Sequence, residues 1–497
     1  MQREVYLFFV LVVCIAAYIH VQAVATRPNI IFVLVDDWGY ADVGFRNPAI
    51  KSPNFDDLAK TGLLLDRHYV YRYCSPSRAS FLSGRWPHHA HQWNIDPPGA
   101  EVGLNINMTI LPAKLKQAGY STHMVGKWHE GFFSKEYLPI NRGFDTSSGF
   151  LAGSEDHMNE MKMCAVDFWK NHGFDSRNGT YDAYLYRDDL TDIISKHDLS
   201  QPFFLYLPLH NVHGPFQAPD EWLNLYPENS TCKIRRTYQA MVSVADNVTG
   251  HLVELLKSKN IWDNTFMVVS ADNGGAKCMG SNYPLKGCKG SYFEGGVRSL
   301  AFANGGLLPD KMRGTKSEGF IHIADWYTTF CKLAGVDSSD SGPGKFPVDG
   351  LDVWPIITGE NTTTPHEEIV LGYNYTFTTV ENAVGAITMG NKLIVNKQPD
   401  DCDHLMWSPL DYPYHNGTTG ENCDPYCLYN IVQDPGEHNE LSKTEPEKLQ
   451  ELLQHYNAYA KEPRDMQDQG YHSGHLPVYD NACKYMNENG GYWQPWK

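Results

Sequence analysis

The sequence predicts an α/β protein, a doubly wound and mostly parallel sheet sandwiched by helices, followed by a smaller C-terminal α+β domain. Three observations carry this: four short apolar runs that do not alternate, helical stretches between them, and a change of texture near Pro355. The first run, Asn29 to Val35, leads into Asp36-Asp37. The second, Ser121 to Val125, leads into Gly126-Lys127-Trp128-His129. Phe203 to Leu207 precedes His210-Asn211-Val212-His213, and Phe266 to Ser270 precedes Asp272-Asn273-Gly274-Gly275. Unbroken apolar runs are the mark of strands buried on both faces, as in a parallel sheet covered by helices. Helical patterns over Phe55 to Gly62, Leu111 to Gly119 and Arg236 to Lys257 supply the crossovers. Ligands of such sheets bind beyond the carboxyl ends of the strands. Each run carries its polar cluster on that side, so residues far apart in sequence are expected to meet.

Past Pro355 the strand candidates shorten to Ala386–Met389 and Lys392–Val395, interrupted by a polar, Pro- and Asp-rich stretch from Gln398 to Asp424. A helix follows, with the capping-box pattern Thr444-Glu445-Pro446-Glu447 and an apolar stripe at Leu449, Leu452, Leu453 and Tyr456. The aromatic tail Gly491 to Trp496 is expected to dock back on the body of the protein. These features divide the chain into a leader over 1–25, a catalytic domain over 26–355 and a smaller domain over 356–497, with antiparallel strands and a helix.

The leader reads as a secretory signal. Arg3 supplies the positive charge, Val5 to Ile19 the apolar stretch, and Ala23-Val24-Ala25 the cleavage pattern. The apolar run is shorter than the ~20 residues of a membrane span, and no later segment is apolar enough to cross. Seven glycosylation sequons agree with the secretory route, at Asn107, Asn178, Asn229, Asn247, Asn361, Asn374 and Asn416. The protein is therefore expected to be secreted or lysosomal. Eleven cysteines include Cys14 in the leader and Cys74 in the motif below; the other nine allow at most four bridges and leave one thiol. Local pairing suggests Cys278 with Cys288, and Cys402 with Cys423 or Cys427. A net charge of −17 excludes a nucleic-acid binder of the usual basic kind. An anionic substrate would have to be attracted locally, by a few cations or a metal within a pocket.

Asp36-Asp37 and Asp272-Asn273 together offer three carboxylates and an amide oxygen, the donors of a hard divalent cation. Either pair alone would more often cap a helix; two pairs at one sheet edge favour a metal. Lys127 and His129 stand two residues apart, on one side of an extended segment. His213 follows a buried strand, where a structural histidine is the commoner finding. Lys289 and Arg298 lie in a Gly-rich run from Asn282 whose simplest reading is a surface loop. His88-His89-Ala90-His91 lacks acidic or Cys ligands at zinc spacing. The most informative segment is Cys74-Ser75-Pro76-Ser77-Arg78 with its continuation to Gly84-Arg85.

That segment resembles the sulfatase signature, and with Asn29–Asp37, Gly126–His129, His213, Ser270–Gly275 and Lys289 the chain resembles a type I sulfatase from about Arg27 onward. Gly119 to His129, Arg142 to Asp145, Phe293 to Arg298, Ile321 to Trp326 and the closing Trp493 to Trp496 are most similar to the arylsulfatase B, or N-acetylgalactosamine-4-sulfatase, group. The resemblance implies an alkaline-phosphatase-like fold and one Ca²⁺ held by Asp36, Asp37, Asp272 and Asn273, beside residue 74. It also implies that Cys74 is oxidised to formylglycine by the formylglycine-generating enzyme of the endoplasmic reticulum. One hydroxyl of the hydrated aldehyde would attack sulfur, with Lys127 and Lys289 holding sulfate oxygens and Arg78 orienting the diol. His213 would protonate the leaving alcohol, and His129 would take the proton of the second hydroxyl. The expected substrate is a sulfated carbohydrate, such as N-acetylgalactosamine 4-sulfate. Alternatives are small aryl or organic sulfates, or a catalytically silent glycan-binding protein. Ser83 replaces the usual Thr of the signature, and Gly214 stands where arylsulfatase B has Glu. Gln92 to Leu104 and Cys402 to Cys423 match that group little, so the substrate does not transfer with the machinery.

Overall fold

A computed structural model describes residues 27–91, 94–95, 98–175, 177, 179–228, 233–276, 279–374, 384–396, 423–459, 461 and 476–497. The signal segment, Asn178, Asn229, Asn416, Cys232, Cys278 and Cys402 lie outside the described residues.

An eleven-stranded sheet forms the body. At its centre are the four apolar runs: β1 (Asn29–Val35), β2 (Ser121–Val125), β3 (Phe203–Leu209) and β4 (Thr265–Ala271). Their order is β4-β1-β3-β2 and every pairing among them is parallel. Both faces of β1 are buried, which explains its lack of alternation. Ile30, Phe32 and Leu34 enter one core with Phe81, Leu82 and Trp326, while Ile31, Val33 and Val35 enter another with Tyr238, Met241 and Leu252. The flanks make the sheet mixed: Ala301–Asn304 runs antiparallel to β4 and to Leu63–Tyr69. The three expected crossover helices are present as Pro53–Thr61, Leu111–Gln117 and Lys233–Ser258.

The smaller C-terminal domain contains a four-stranded antiparallel sheet of Ile369–Asn374, Val384–Met389, Asn391–Val395 and Tyr426–Asn430. The helix Pro446–Tyr459 covers one face through Leu452, Leu453 and Tyr456. The other face packs on Tyr69, Tyr71, Tyr292 and Phe293 of the body. Lys392 joins the two parts by buried ion pairs to Glu294 at 2.7 Å and Glu437 at 3.0 Å. The aromatic tail docks as expected, with the Trp493 carbonyl accepting from Trp169 Nε1 at 2.7 Å.

Three local expectations are corrected. Cys423 and Cys427 bridge each other, so neither pairs with Cys402. Cys164 and Cys483 form a bridge that local spacing does not suggest, and Cys331 is a buried free thiol. Cys288 is disulfide-bonded. The Thr444 hydroxyl donates back to the Leu441 carbonyl at 3.2 Å, so the capping box is not made in the expected way. The Gly126–His129 segment is not extended. Its backbone turns through positive φ at Gly126 (125°) and His129 (60°), held by alternate bonds to Ser148, Pro208, Phe150 and Leu151 carbonyls. A Cβ at Gly126 would lie 2.0 Å from the Pro208 oxygen, so the turn requires glycine. Among the sequons, Asn107 and Asn361 are exposed, and Asn247 is half-buried on a helix; Asn374 is described in its backbone only.

Candidate active site

The carboxyl ends of the four parallel strands converge on the N-terminus of α1, the helix Cys74–Ser83, all ten residues of which are buried. Cys74 opens the helix, where backbone N–H groups and the helix dipole favour an anion. Its Sγ lies 3.3 Å from Asp36 Oδ1 and 3.3 Å from Lys289 Nζ. Lys127 Nζ reaches Asp36 Oδ2 at 2.6 Å, and Lys289 Nζ reaches Asp37 Oδ1 at 2.5 Å. Arg78 pairs with Asp272 at 2.7 Å and with Asp36 at 3.7 Å, and donates to the Lys127 carbonyl at 3.3 Å. Asn273 Nδ2 donates to Asp37 Oδ1 at 2.7 Å, and the Asp37 N–H to Asp272 Oδ1 at 3.2 Å. All the residues singled out from the four strand ends, α1 and the Gly-rich run therefore meet, except Arg298. Arg298 instead pairs with Asp66 and Glu294.

His213 Nε2 stands 3.7 Å from Asp37 Oδ2, while its Nδ1 donates to the Gly214 carbonyl at 2.7 Å. His129 Nε2 donates to the Ile95 carbonyl at 2.8 Å, and Nδ1 is buried with no hydrogen-bond partner. Gly153 makes room for that ring, since a Cβ there would lie 2.6 Å from His129 Nε2. Only Lys289 and His213 have side chains appreciably open to solvent, at 17% and 23%. They mark the mouth; Asp36, Arg78, Lys127, Asp272 and Asn273 are wholly buried.

The electrostatics follow from that burial. Desolvation opposes ionisation of Asp36, but Lys127, His213, Arg78 and Lys289 hold it well below the usual carboxylate range. Asp272 is pushed up to about 7 by burial and by Asp36. Burial, then Asp36, raise the Cys74 thiol, which argues against a thiolate nucleophile. Burial and Lys127 keep His129 well below its ordinary value, so it is neutral. Asn273 Oδ1 is buried without a hydrogen-bond donor, beside three carboxylates. An orphaned amide oxygen facing carboxylates is the donor set a hard cation satisfies.

Some site residues carried no readable signal. Glu130, wholly buried, bonds His91 at 3.0 Å. His89 bonds Asp349, so the His88–His91 run is used structurally. Behind His213 lies a buried trio of His157, Asp182 and His210. His210 was visible as a strand-end residue, whereas His157 and Asp182 come from a loop and a helix start that match no motif.

Fold and site define a hydrolase of the alkaline-phosphatase-like α/β class. A family model described as Sulfatase matches residues 28–336, and the chain belongs to the sulfatase family; it is an enzyme that hydrolyses sulfate esters. It is similar to mouse (Mus musculus) arylsulfatase J, with 34% identity over 95% of this chain and 80% of that one. Dog (Canis lupus familiaris) N-acetylgalactosamine-6-sulfatase is 32% identical over 71% of this chain and 70% of its own. Among solved structures, Ps i-CgsB in complex with k-i-k-neocarrahexaose superimposes with a TM-score of 0.76 at 28% identity, covering 93% of this chain and 99% of that one. No helix among the described residues is long and apolar enough to cross a membrane.

Proposed function

We propose that this sulfatase is formylglycine- and Ca²⁺-dependent and removes terminal sulfate from glycans bearing N-acetylgalactosamine 4-sulfate or a similar group. The observation that carries the reading is the convergence of Asp36, Asp37, Asp272 and Asn273 on Cys74, with Lys127 and Lys289 at the same point. When present, Ca²⁺ neutralises charge on the sulfate oxygens and the hydrated formylglycine at 74 supplies the attacking oxygen.

The chain's own residues do the rest. Lys127 and Lys289, now paired to Asp36 and Asp37, hold two sulfate oxygens once a cation takes those carboxylates. Arg78 fixes Asp272 and Asp36 on either side of residue 74. His129 is held as the Nε2–H tautomer, so Nδ1 is the nitrogen that accepts a proton from the second hydroxyl. Ester and water give alcohol, sulfate and one proton, and the site returns to its starting state.

The carbohydrate names printed for the dog relative and for the solved complex support a glycan substrate. The leader and sequons support the secretory pathway, with secretion or delivery to the lysosome. They also make the formylglycine-generating enzyme the partner in biosynthesis. The domain limits 26–355 and 356–497 fit this reading. The test is the mass of the peptide carrying residue 74, from a eukaryotic secretory host, with a panel of galactosamine 4-sulfate, galactosamine 6-sulfate and 4-nitrophenyl sulfate. Thiol-to-aldehyde conversion with preferred release from a sugar supports the proposal. An unmodified cysteine, in a host that converts a control sulfatase, overturns it; preference for the aryl ester overturns the glycan part.

A further inference from the structure

We propose that His157 and Asp182 are positioning residues for His213: the imidazole of His157, anchored by Asp182, grips the His213 main-chain carbonyl and thereby sets where the acid's ring stands. The inference rests on the leaving-group role of His213 given above.

The ring of His213 has little holding it. Its Nδ1 bonds only its own neighbour, the Gly214 carbonyl, and Asp37 lies beyond normal hydrogen-bond distance at 3.7 Å. Its place is therefore decided by the main chain. The His213 N–H donates to the His210 carbonyl at 2.9 Å, and the His213 carbonyl accepts from His157 Nε2 at 3.1 Å. His157 is fixed on every side. Its Nδ1 donates to Asp182 Oδ2 at 2.9 Å, and its carbonyl accepts the Asp182 N–H at 2.9 Å. Its own N–H goes to Gln217 Oε1 at 2.9 Å. The ring is stacked between Tyr181, centroids 5.3 Å apart, and His210 at 4.0 Å. His210 Nδ1 donates to the same Asp182 oxygen at 2.9 Å. His157, Asp182 and His210 are wholly buried.

The protons can be counted. Both nitrogens of His157 face acceptors, a carboxylate and a carbonyl, so with Asp182 ionised the ring carries hydrogen on both. Burial opposes both charges, but their attraction prevails, raising His157 and lowering Asp182. His210 is driven down by burial and by His157 and remains neutral. The result is a sealed imidazolium–carboxylate pair whose free N–H is aimed at one backbone oxygen. A hydrophobic filler would pack this space as well; what it could not do is hold that carbonyl.

The experiment compares H157F, H157Q, D182N and H213A on a sugar sulfate, whose alcohol needs a proton to leave, and on 4-nitrophenyl sulfate, whose phenolate leaves unassisted. Conversion at residue 74 and the melting midpoint are measured for each variant. H157F and D182N should lose about 30-fold in kcat on the sugar sulfate, with KM within about twofold, and less than about threefold on the aryl ester. H157Q, which keeps an N–H for the carbonyl, should recover most of the loss. H157F combined with H213A should be no worse than H213A alone. Equal losses on both esters, or additive losses in the double variant, overturn the positioning role. If H213A itself shows no leaving-group selectivity, the acid assignment fails instead, and the two failures are told apart by that variant.

Discussion

Cys74 is chemically quiet as a cysteine, buried to 1% exposure and pushed toward the thiol by burial and Asp36. A serine there would have the attacking oxygen but no second hydroxyl. C74S is therefore expected either to trap one covalent sulfate or to be inactive, read by intact mass after incubation with substrate; full turnover would exclude the proposed chemistry. The cation site allows a second expectation. Three carboxylates and Asn273 are balanced only by Arg78, Lys127 and Lys289. Chelation by EGTA should lower the melting midpoint by several degrees and abolish turnover, and Ca²⁺ should restore both. An unchanged midpoint in D37N and wild type alike would mean that no cation is held. Asp36, Asp37, Lys127, Asp272 and Asn273 were legible because each follows a buried strand, whereas Cys74 and Arg78 were legible from the motif and Lys289 from the Gly-rich run. The state of His129 was not, because the Ile95 carbonyl that selects its tautomer lies 34 residues away in sequence.

At the scale of elements, strands buried on both faces advertise themselves by continuous apolar residues, and the bounds of β1 and β2 match the sequence reading. The turn after β2 did not, because its positive φ values depend on carbonyls from neighbouring segments. Docking of the C-terminal sheet was likewise invisible. There His366, just before Ile369–Asn374, bonds Asp325 Oδ1 at 2.7 Å, at the start of the helix Asp325–Ala334. Burial opposes the imidazolium, but Asp325 prevails and raises His366 above its ordinary value of ~6.5. A raised native value contributes stability below the unfolded value, and that contribution is lost as pH rises through the native one. Wild type should therefore lose more melting temperature than H366N between about pH 6 and pH 8; parallel curves would show that the pair is not charged.

At the scale of the molecule, a net charge of −17 coexists with a pocket for an anion. The attraction is local: two lysines and a helix N-terminus act at short range where water is excluded, and the outer field is screened within about 10 Å at ordinary salt. The bridge Cys164–Cys483 ties the C-terminal helix Leu476–Glu488 to the hairpin beside the body sheet, across 319 residues of sequence. Replacing both cysteines by alanine should cost about 2–4 kcal/mol of stability. Turnover per folded molecule should be unchanged, as measured by thermal melts and active-site titration. Loss of turnover at full fold would place that hairpin in catalysis.

The sequence by itself determined the central parallel strands, the residues at their carboxyl ends, the signature around Cys74 and the change of texture that marks the smaller domain. Each is a local property, because burial on two faces, strand-end polarity and a short motif are written in consecutive residues. Only the tertiary structure decided that Cys423 bridges Cys427, that Cys164 meets Cys483, and that Arg298 leaves the site for Asp66 and Glu294. It alone brought His157 and Asp182 behind His213. Those pairings are set by which loops lie side by side at one end of a folded sheet, and proximity of that kind leaves no period or spacing in the chain.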